Sequence, residues 1–359
     1  MLPHLPQPTM HTFLDYDEAI AALNSIAADA PQIVKLASAG KSRMGRELVY
    51  ARIGSGPKKV WVQARGRAVQ ALTTPGALEL IKALTHDAYA LVREQLTVIV
   101  IPMLLTDCTE KWLDYTEDGV DLERDWEEFR APEAKLWFDL WADFKPEYAI
   151  NLHQMANWPF VEGTADICAL QIFANMLRPE EMTEDQWNTN RRIGALAAAA
   201  VRSIGVHPGK FWNHRKHHDA KPRRLNNLGF MLRGLPVGDG KVHRVRGAVY
   251  FEVRKNGEFK APERVRNTGD DELVRIFPAA VLGVLVALAD GTFDRTPVEG
   301  YESLPSGTMY TVGGTKPDWL DSGKVPDWVF KNEPPQWLLD AFAHFARARV
   351  WSADEPPRR

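Results

Sequence analysis

The chain has 359 residues, 45% hydrophobic and 25% charged, which are ordinary values for a globular protein able to bury a sizeable core. Lys+Arg 44 against Asp+Glu 47 leaves a net charge of −3, which speaks against a general nucleic-acid binder, since that role needs surplus positive charge on one face. Cys108 and Cys168 are too few for a disulfide framework and are spaced for neither a zinc ribbon nor a redox pair. No apolar run is expected to reach the ~20 residues of a membrane span. The N-terminal stretch lacks a basic start followed by an apolar segment. The expected location is cytoplasmic as the sequence stands, and periplasmic or secreted if a leader precedes it.

In chain order, Tyr16 opens a helix with Ala19, Ile20, Leu23 and Ile26 on one stripe, closed by Pro31. Strand-like runs come next at Ile33–Leu36, Leu48–Ile53 and Val60–Gln63, separated by Gly and Pro turns. Pro75 sits in the first turn of a helix running to Gln95, where its missing N–H costs nothing. Leu96–Ile101 is a continuous apolar run that predicts a strand buried on both faces. Pro132–Phe144 predicts a helix, Tyr148–Leu152 a buried strand, Thr183–Ser203 a long helix, Val249–Val253 a strand and Asp270–Ala289 a helix. Strands alternating with helices imply an α/β fold with a mostly parallel or mixed sheet.

Residues 205–247 are rich in Arg, Lys, His, Asn and Gly and predict an excursion of long loops. Residues 292–334, dense in Pro, Gly, Asp and Trp, predict an irregular appendage, packed down by a helix over Gln336–Val350. In that tail Trp319, Trp328, Phe330 and Trp337 are expected to pack onto the main domain rather than form a ligand platform.

Ala39-Gly40-Lys41-Ser42 has the look of the end of a phosphate loop. That loop needs a glycine five residues before its Gly-Lys pair, so that backbone N–H groups can wrap the phosphates. Lys35 stands there instead, and a structural turn is the expectation.

The same residues fit another pattern. Gly40-Lys41-Ser42-x-x-Gly45-Arg46, Val60-Trp-Val-Gln-Ala64, Gly119-Val-Asp-Leu-Glu-Arg-Asp-Trp126, Ile150-Asn-Leu-His153 and Val249-Tyr-Phe-Glu-Val253 succeed one another in order. Together they resemble the zinc carboxypeptidases of the carboxypeptidase A type over roughly residues 15–290. The resemblance implies a mixed sheet of about eight strands flanked by helices. It places a zinc carboxypeptidase-like domain at 12–291, with a C-terminal appendage at 292–359. In that family zinc is held by His-x-x-Glu and a distant His, leaving a coordination position open for water or the substrate carbonyl. A glutamate takes the proton of the activated water, and arginines hold the terminal carboxylate of the peptide. Carried over, the resemblance makes Glu252 the catalytic glutamate, Arg124 a substrate-binding arginine and His153 the one retained metal ligand.

The chain departs from the family at the first metal motif. An ungapped alignment puts Arg67 at the histidine position and Gln70 at the glutamate position. A gapped one, matching Val69-Gln-Ala-Leu-Thr-Thr to the family's residues just after the motif, removes the histidine and puts Ala68 at the glutamate. On both, no histidine lies between His11 and His86. Leu105-Thr-Asp-Cys108 stands for the family's Asn-Pro-Asp-Gly turn. Asp114 stands where an oxyanion-stabilising arginine is expected, and Glu123 replaces the asparagine of an Asn-Arg pair. With two of three ligands absent, zinc is expected of the family but not bound by this chain. The function so implied is a family member with a degenerate metal site, little or no peptidase activity, and a cleft open to a peptide or small carboxylate. The alternative is an active metallocarboxypeptidase or amidohydrolase with zinc on His153 and rebuilt ligands. A third reading is a structural or partner-binding protein. Neither a nucleic acid nor a membrane is an expected partner.

Without co-ligands His153 also fits a hydrogen-bonded core histidine. Glu252, inside an apolar strand, needs a partner for its charge, with Arg67, Arg124 or Arg254 as candidates. A permanent guanidinium at Arg67 could replace part of the lost positive charge and keep the inward acids tolerable. His214, His217 and His218 form a second candidate cluster, but Lys210, Arg215, Lys216, Lys221, Arg223 and Arg224 surround them and favour a solvated basic patch.

Overall fold

A computed structural model describes residues 2–10, 13–68, 70–107, 109, 115–116, 118–154, 160–161, 169–174, 177, 181–211, 225–254, 271–305 and 307–308. Asp114, both cysteines, the His214–His218 cluster and the Trp-rich tail lie outside the described residues.

Helix α1 (Tyr16–Asp29) starts at a capping box, in which the Asp15 carboxylate accepts from Glu18 N and the Glu18 side chain accepts from Asp15 N. It leads to the antiparallel pair β1 (Val34–Lys41) and β2 (Glu47–Ile53), then to β3 (Lys58–Ala64). The segment expected as one helix to Gln95 is α2 (Thr73–Thr85), a 3-10 turn and α3 (Ala90–Gln95). The break falls at His86, which is extended and whose Nδ1 accepts from Ala88 N, capping the new turn. Strand β4 (Leu96–Ile101) is buried at every residue, as its unbroken apolar run requires. Then come α4 (Pro132–Phe144), β5 (Tyr148–Gln154), the short β6 (Phe160–Val161), β7 (Leu170–Phe173) and α5 (Glu184–Arg202).

The 205–247 stretch is not all loop. It holds β8 (Pro208–Lys210), α6 (Asn227–Arg233) and a small hairpin of β9 (Leu235–Pro236) and β10 (Val242–His243). Such short pieces carry too few residues to show a period, which is why only tertiary packing defines them. Strand β11 (Gly247–Val253), α7 (Asp271–Asp290), α8 (Glu299–Glu302) and β12 (Gly307–Thr308) complete the described chain.

Eight strands form one mixed sheet in the order β1-β2-β4-β3-β5-β11-β7-β8. The four central strands β4, β3, β5 and β11 run parallel, while β2 and β7 pair antiparallel to them on either side. Val60, Val62 and Ala64 of β3 face one core with Ile150, Leu152, Val249 and Phe251, roofed by α2 and α7. Trp61, Ala149, Ala248 and Tyr250 face the other, with Trp137 and Trp141 of α4 and Leu228 and Met231 of α6. The two-residue alternation of the strands therefore sorts side chains between two helical layers.

Two expectations change here. Glu272–Asp290 is long and apolar enough to cross a membrane by length and composition, against the expectation that no run is. Its residues Val274, Phe277, Val281 and Leu285 are fully buried in the core with α2, so interior packing accounts for the apolarity. Secondly, the start of the proposed appendage joins the main core, through Phe293, Tyr301 and Leu304.

Candidate functional site

Parallel α/β sheets place functional groups at the carboxyl ends of their strands, because loops diverge there. At that end, β5 and β11 pair Asn151 with Tyr250 and His153 with Glu252. In each strand the two residues are two apart and so point to the same face. On the other flank, β3 ends at Ala64, and Arg65 after it, with a φ of 53°, turns the chain sharply. Gln70 N donates to Arg67 O at 3.1 Å, closing a turn with Arg67 at one end and Gln70 at the other.

The third wall is the turn that ends at Asp121. Gly119, at φ 79°, lets the chain reverse so that Val120 N donates to Thr116 Oγ1 at 2.9 Å. Asp121 then caps a 3-10 turn over Leu122–Arg124, accepting from Glu123 N. This turn directs Glu123 into the cleft. A Cβ at Gly66 would lie 2.7 Å from the Glu123 carboxyl carbon, so the glycine makes the room that Glu123 fills.

The groups converge on one buried network. His153 Nε2 lies 2.7 Å from Glu123 Oε1, and Asn151 Nδ2 donates to the same oxygen at 2.7 Å. Arg67 Nε lies 3.5 Å from Glu123 Oε2, and its Nη2 donates to Asp121 Oδ2 at 2.8 Å. Arg124 Nε is 3.3 Å from that same Asp121 oxygen. On the far edge of the imidazole, Nδ1 lies 3.4 Å from Glu252 Oε1 and 2.9 Å from the Gln70 amide. The Tyr250 ring stands edge-on to His153 at 4.4 Å.

Burial and charge compete in this network, and charge wins. Burial by itself would raise Glu123, but the charge and hydrogen bond of His153, then Arg67 and Asn151, hold its carboxyl down to about 2. Burial by itself would lower His153, but the charges of Glu123 and then Glu252 hold it up to about 9. The imidazole is thus a cation at neutral pH and donates from both nitrogens. An amide oxygen must then face Nδ1. Turning the Gln70 amide so that Oε1 accepts there also gives that buried oxygen, otherwise without a partner, its hydrogen bond.

All five candidate positions, Arg67, Gln70, Arg124, His153 and Glu252, therefore join one network of contacts. The expected arginine partner of Glu252 is corrected: the group at 3.4 Å is His153, while Arg67 and Arg124 meet on Asp121. Sequence reasoning assigned no role to Asp121, Asn151 or Tyr250. The i, i+2 spacing of Asn151 with His153, and of Tyr250 with Glu252, is the signal that points to the last two.

Catalytic zinc requires three protein donors converging on one point. Here Glu123 and Glu252 lie on opposite edges of the imidazole, so one ion cannot meet both together with a single ring nitrogen. The Arg67 guanidinium beside Glu123 places positive charge where a cation would need acceptors. No group of three or more His, Cys, Asp or Glu among the described residues is arranged to hold a metal ion. This donor set does not fit a three-ligand zinc site.

A mixed eight-stranded sheet with a cleft over β3, β5 and β11 defines a carboxypeptidase-type α/β fold. It is similar to the metallo-carboxypeptidase from Burkholderia cenocepacia, at 16% identity and a TM-score of 0.54, covering 77% of this chain and 69% of that one. It is also similar to bovine thrombin-activatable fibrinolysis inhibitor, solved in complex with tick carboxypeptidase inhibitor, at 13% identity and a TM-score of 0.56, covering 79% and 98%. Residues 19–169 match the family model described as zinc carboxypeptidase. Comparison with curated proteins gave no sequence match.

Proposed function

We propose that this chain is a zinc carboxypeptidase-family protein with a degenerate metal site and little or no peptidase activity, whose cleft binds a peptide or small carboxylate without hydrolysing it. The observation that carries this reading is Glu123, held between His153 Nε2 at 2.7 Å and Arg67 Nε at 3.5 Å. That arrangement neutralises the inward acids with side chains and engages Nε2 of the histidine a metal would need, while Glu252 and Gln70 face its Nδ1. Arg124, about a third exposed at the rim, supplies the cation a ligand carboxylate would meet.

The test is zinc content per chain by elemental analysis, on protein purified without chelator and re-equilibrated with zinc, then an assay on C-terminal peptide substrates. Near-zero zinc and no released amino acid are expected, together with saturable binding of a small peptide that weakens in R124A. About one tightly held zinc per chain with C-terminal hydrolysis would overturn the reading and establish rebuilt ligands around His153.

A further inference from the structure

Away from the cleft floor, two buried carboxyl groups meet under the 42–46 turn. Asp107 is 5% exposed and Glu133 1% exposed, and the Asp107 charge reaches Glu133. Both hold the same turn. Ser42 Oγ donates to Asp107 Oδ1 at 2.5 Å, Met44 N to Asp107 Oδ2 at 3.0 Å, and Arg43 N to Glu133 Oε1 at 2.8 Å. Three consecutive residues thus hang on two acids.

We propose that Asp107 and Glu133 share one proton as a carboxylate–carboxylic acid pair, and that this proton clamps the 42–46 turn against the wall of the cleft. The hydrogen bonds assign the members. Asp107 receives a donor on each oxygen and is the ionised partner. Glu133 receives one donor on Oε1, while its Oε2 is buried and meets no donor. An ionised oxygen there would be left unsatisfied, whereas a hydroxyl at Oε2 donates to Asp107. Burial and the Asp107 charge raise Glu133 above the ordinary carboxyl range, against the lowering pull of Arg43 N–H and of its own backbone near the start of α4.

The charged groups on the surrounding elements have other partners as well. Arg43 pairs with Asp118 at 3.1 Å and donates to Arg130 O, Arg46 donates to Thr106 O at 2.6 Å, and Arg130 pairs with Glu128 at 3.0 Å and Asp125 at 3.6 Å. Lys41 pairs with Glu47 and Lys135 with Asp139. The clamp reaches the cleft by two routes. Leu104 N and Leu105 N donate to Ala64 O and Arg65 O, so the segment bearing Asp107 lies beside the strand end that leads to Arg67. The Arg43–Asp118 pair ties the turn to the one that delivers Asp121 and Glu123.

When pH rises the proton passes to solvent, two like charges face each other in a buried site, and the turn loosens. A raised folded-state value means the clamp is fully present below the ordinary glutamate range and is lost as pH rises through that raised value. The test is infrared spectroscopy of the carboxyl C=O band in heavy water on the full chain, from about pH 4 to about pH 9, with amide exchange read at Arg43 and Met44. A protonated band persisting above the ordinary glutamate value of about 4.3 is expected, absent from E133Q. Exchange at both amides should accelerate in step with loss of the band, and that step should be missing in E133Q. Loss of all protonated carboxyl signal by the ordinary range, or a high-pH band unchanged in E133Q, would overturn the shared proton. A titrating band with no change in exchange would overturn the clamp. Should E133Q fail to fold, the wild-type titration stands alone, and D107N, which removes the neighbouring charge, should shift the band's midpoint toward lower pH.

Discussion

Arg67 and the protonated His153 offset the carboxylates of Glu123 and Glu252 that point inward. Truncating Arg67 leaves Glu123 buried with only His153 and Asn151, and takes a charge partner from Asp121. Arg67→Ala is expected to lower stability by about 1–3 kcal/mol, well beyond a surface substitution. A urea unfolding midpoint equal to that of the parent would sink this account. The His153–Glu123 pair carries a pH signature. Its histidine is held up to about 9, so its contribution is complete below about pH 6.5 and is lost as pH rises toward 9. Its glutamate is held down to about 2, so that contribution is complete above about pH 4.5 and is lost on acidification toward 2. Stability should therefore be flat between about pH 4.5 and 6.5 and fall by on the order of 2–3 kcal/mol by pH 9. His153→Gln should abolish the alkaline decline, and a parallel decline in both proteins would reject the assignment. Gly66 is the third residue of this set. Its missing side chain leaves the space that Glu123 occupies, so Gly66→Ala should displace the carboxylate and flatten the same pH profile.

Among the elements, α2 and α7 approach each other closely at a single glycine. A Cβ at Gly76 would stand 2.5 Å from Phe277 Cδ2 and 2.7 Å from Phe277 Cβ. The second contact is near the backbone of α7, so rotating the ring does not relieve it. Alanine gains about 1 kcal/mol in helix propensity over glycine, while overpacking a filled core costs about 1–3 kcal/mol. The clash should win, and Gly76→Ala is expected to melt at a lower temperature than the parent; a rise would mean that the two helices separate at little cost. The N-terminal arm also depends on α2. Buried Glu79 Oε1 accepts from Thr9 N at 2.6 Å, Thr9 Oγ1 at 3.0 Å and Met10 N at 2.9 Å, which fixes residues 9 and 10 on the helix.

For the whole molecule, the cleft is assembled from three sheet strands and two turns that are already joined by backbone pairing and ion pairs. On the proposed reading, that pairing holds the site together without a metal. Incubation with a strong chelator should leave the thermal midpoint unchanged. Added zinc should likewise leave it in place, because a ligand stabilises the fold in proportion to how far its concentration exceeds its dissociation constant. A zinc-dependent rise in midpoint, reversed by chelator, would show a metal site coupled to folding. The apolar helix Asp271–Asp290 belongs to this scale too. Seen alone it has the length and composition of a membrane span, and only its place in the core against α2 and α5 shows where its side chains go.

The amino-acid sequence alone determines the long elements, because burial periodicity needs only the chain: α1, β4, α4, β5, α5 and β11 sit close to where their patterns place them. It also carries the likeness to zinc carboxypeptidases, through motifs whose order survives. The tertiary structure decided the rest. Short pieces such as β7, β8 and α6 have no period of their own and exist because the sheet and its helices complete them. Glu123 reads as a substitution in a turn, yet it becomes the hub of the site because Gly66 gives it room and His153, Asn151 and Arg67 arrive from three other segments. Glu252 looks like an acid in search of an arginine, but sheet register sets it beside His153 instead. Hydrogen bonds and charges between residues far apart in sequence depend on distances of a few ångström, and those distances exist only after the strands have paired.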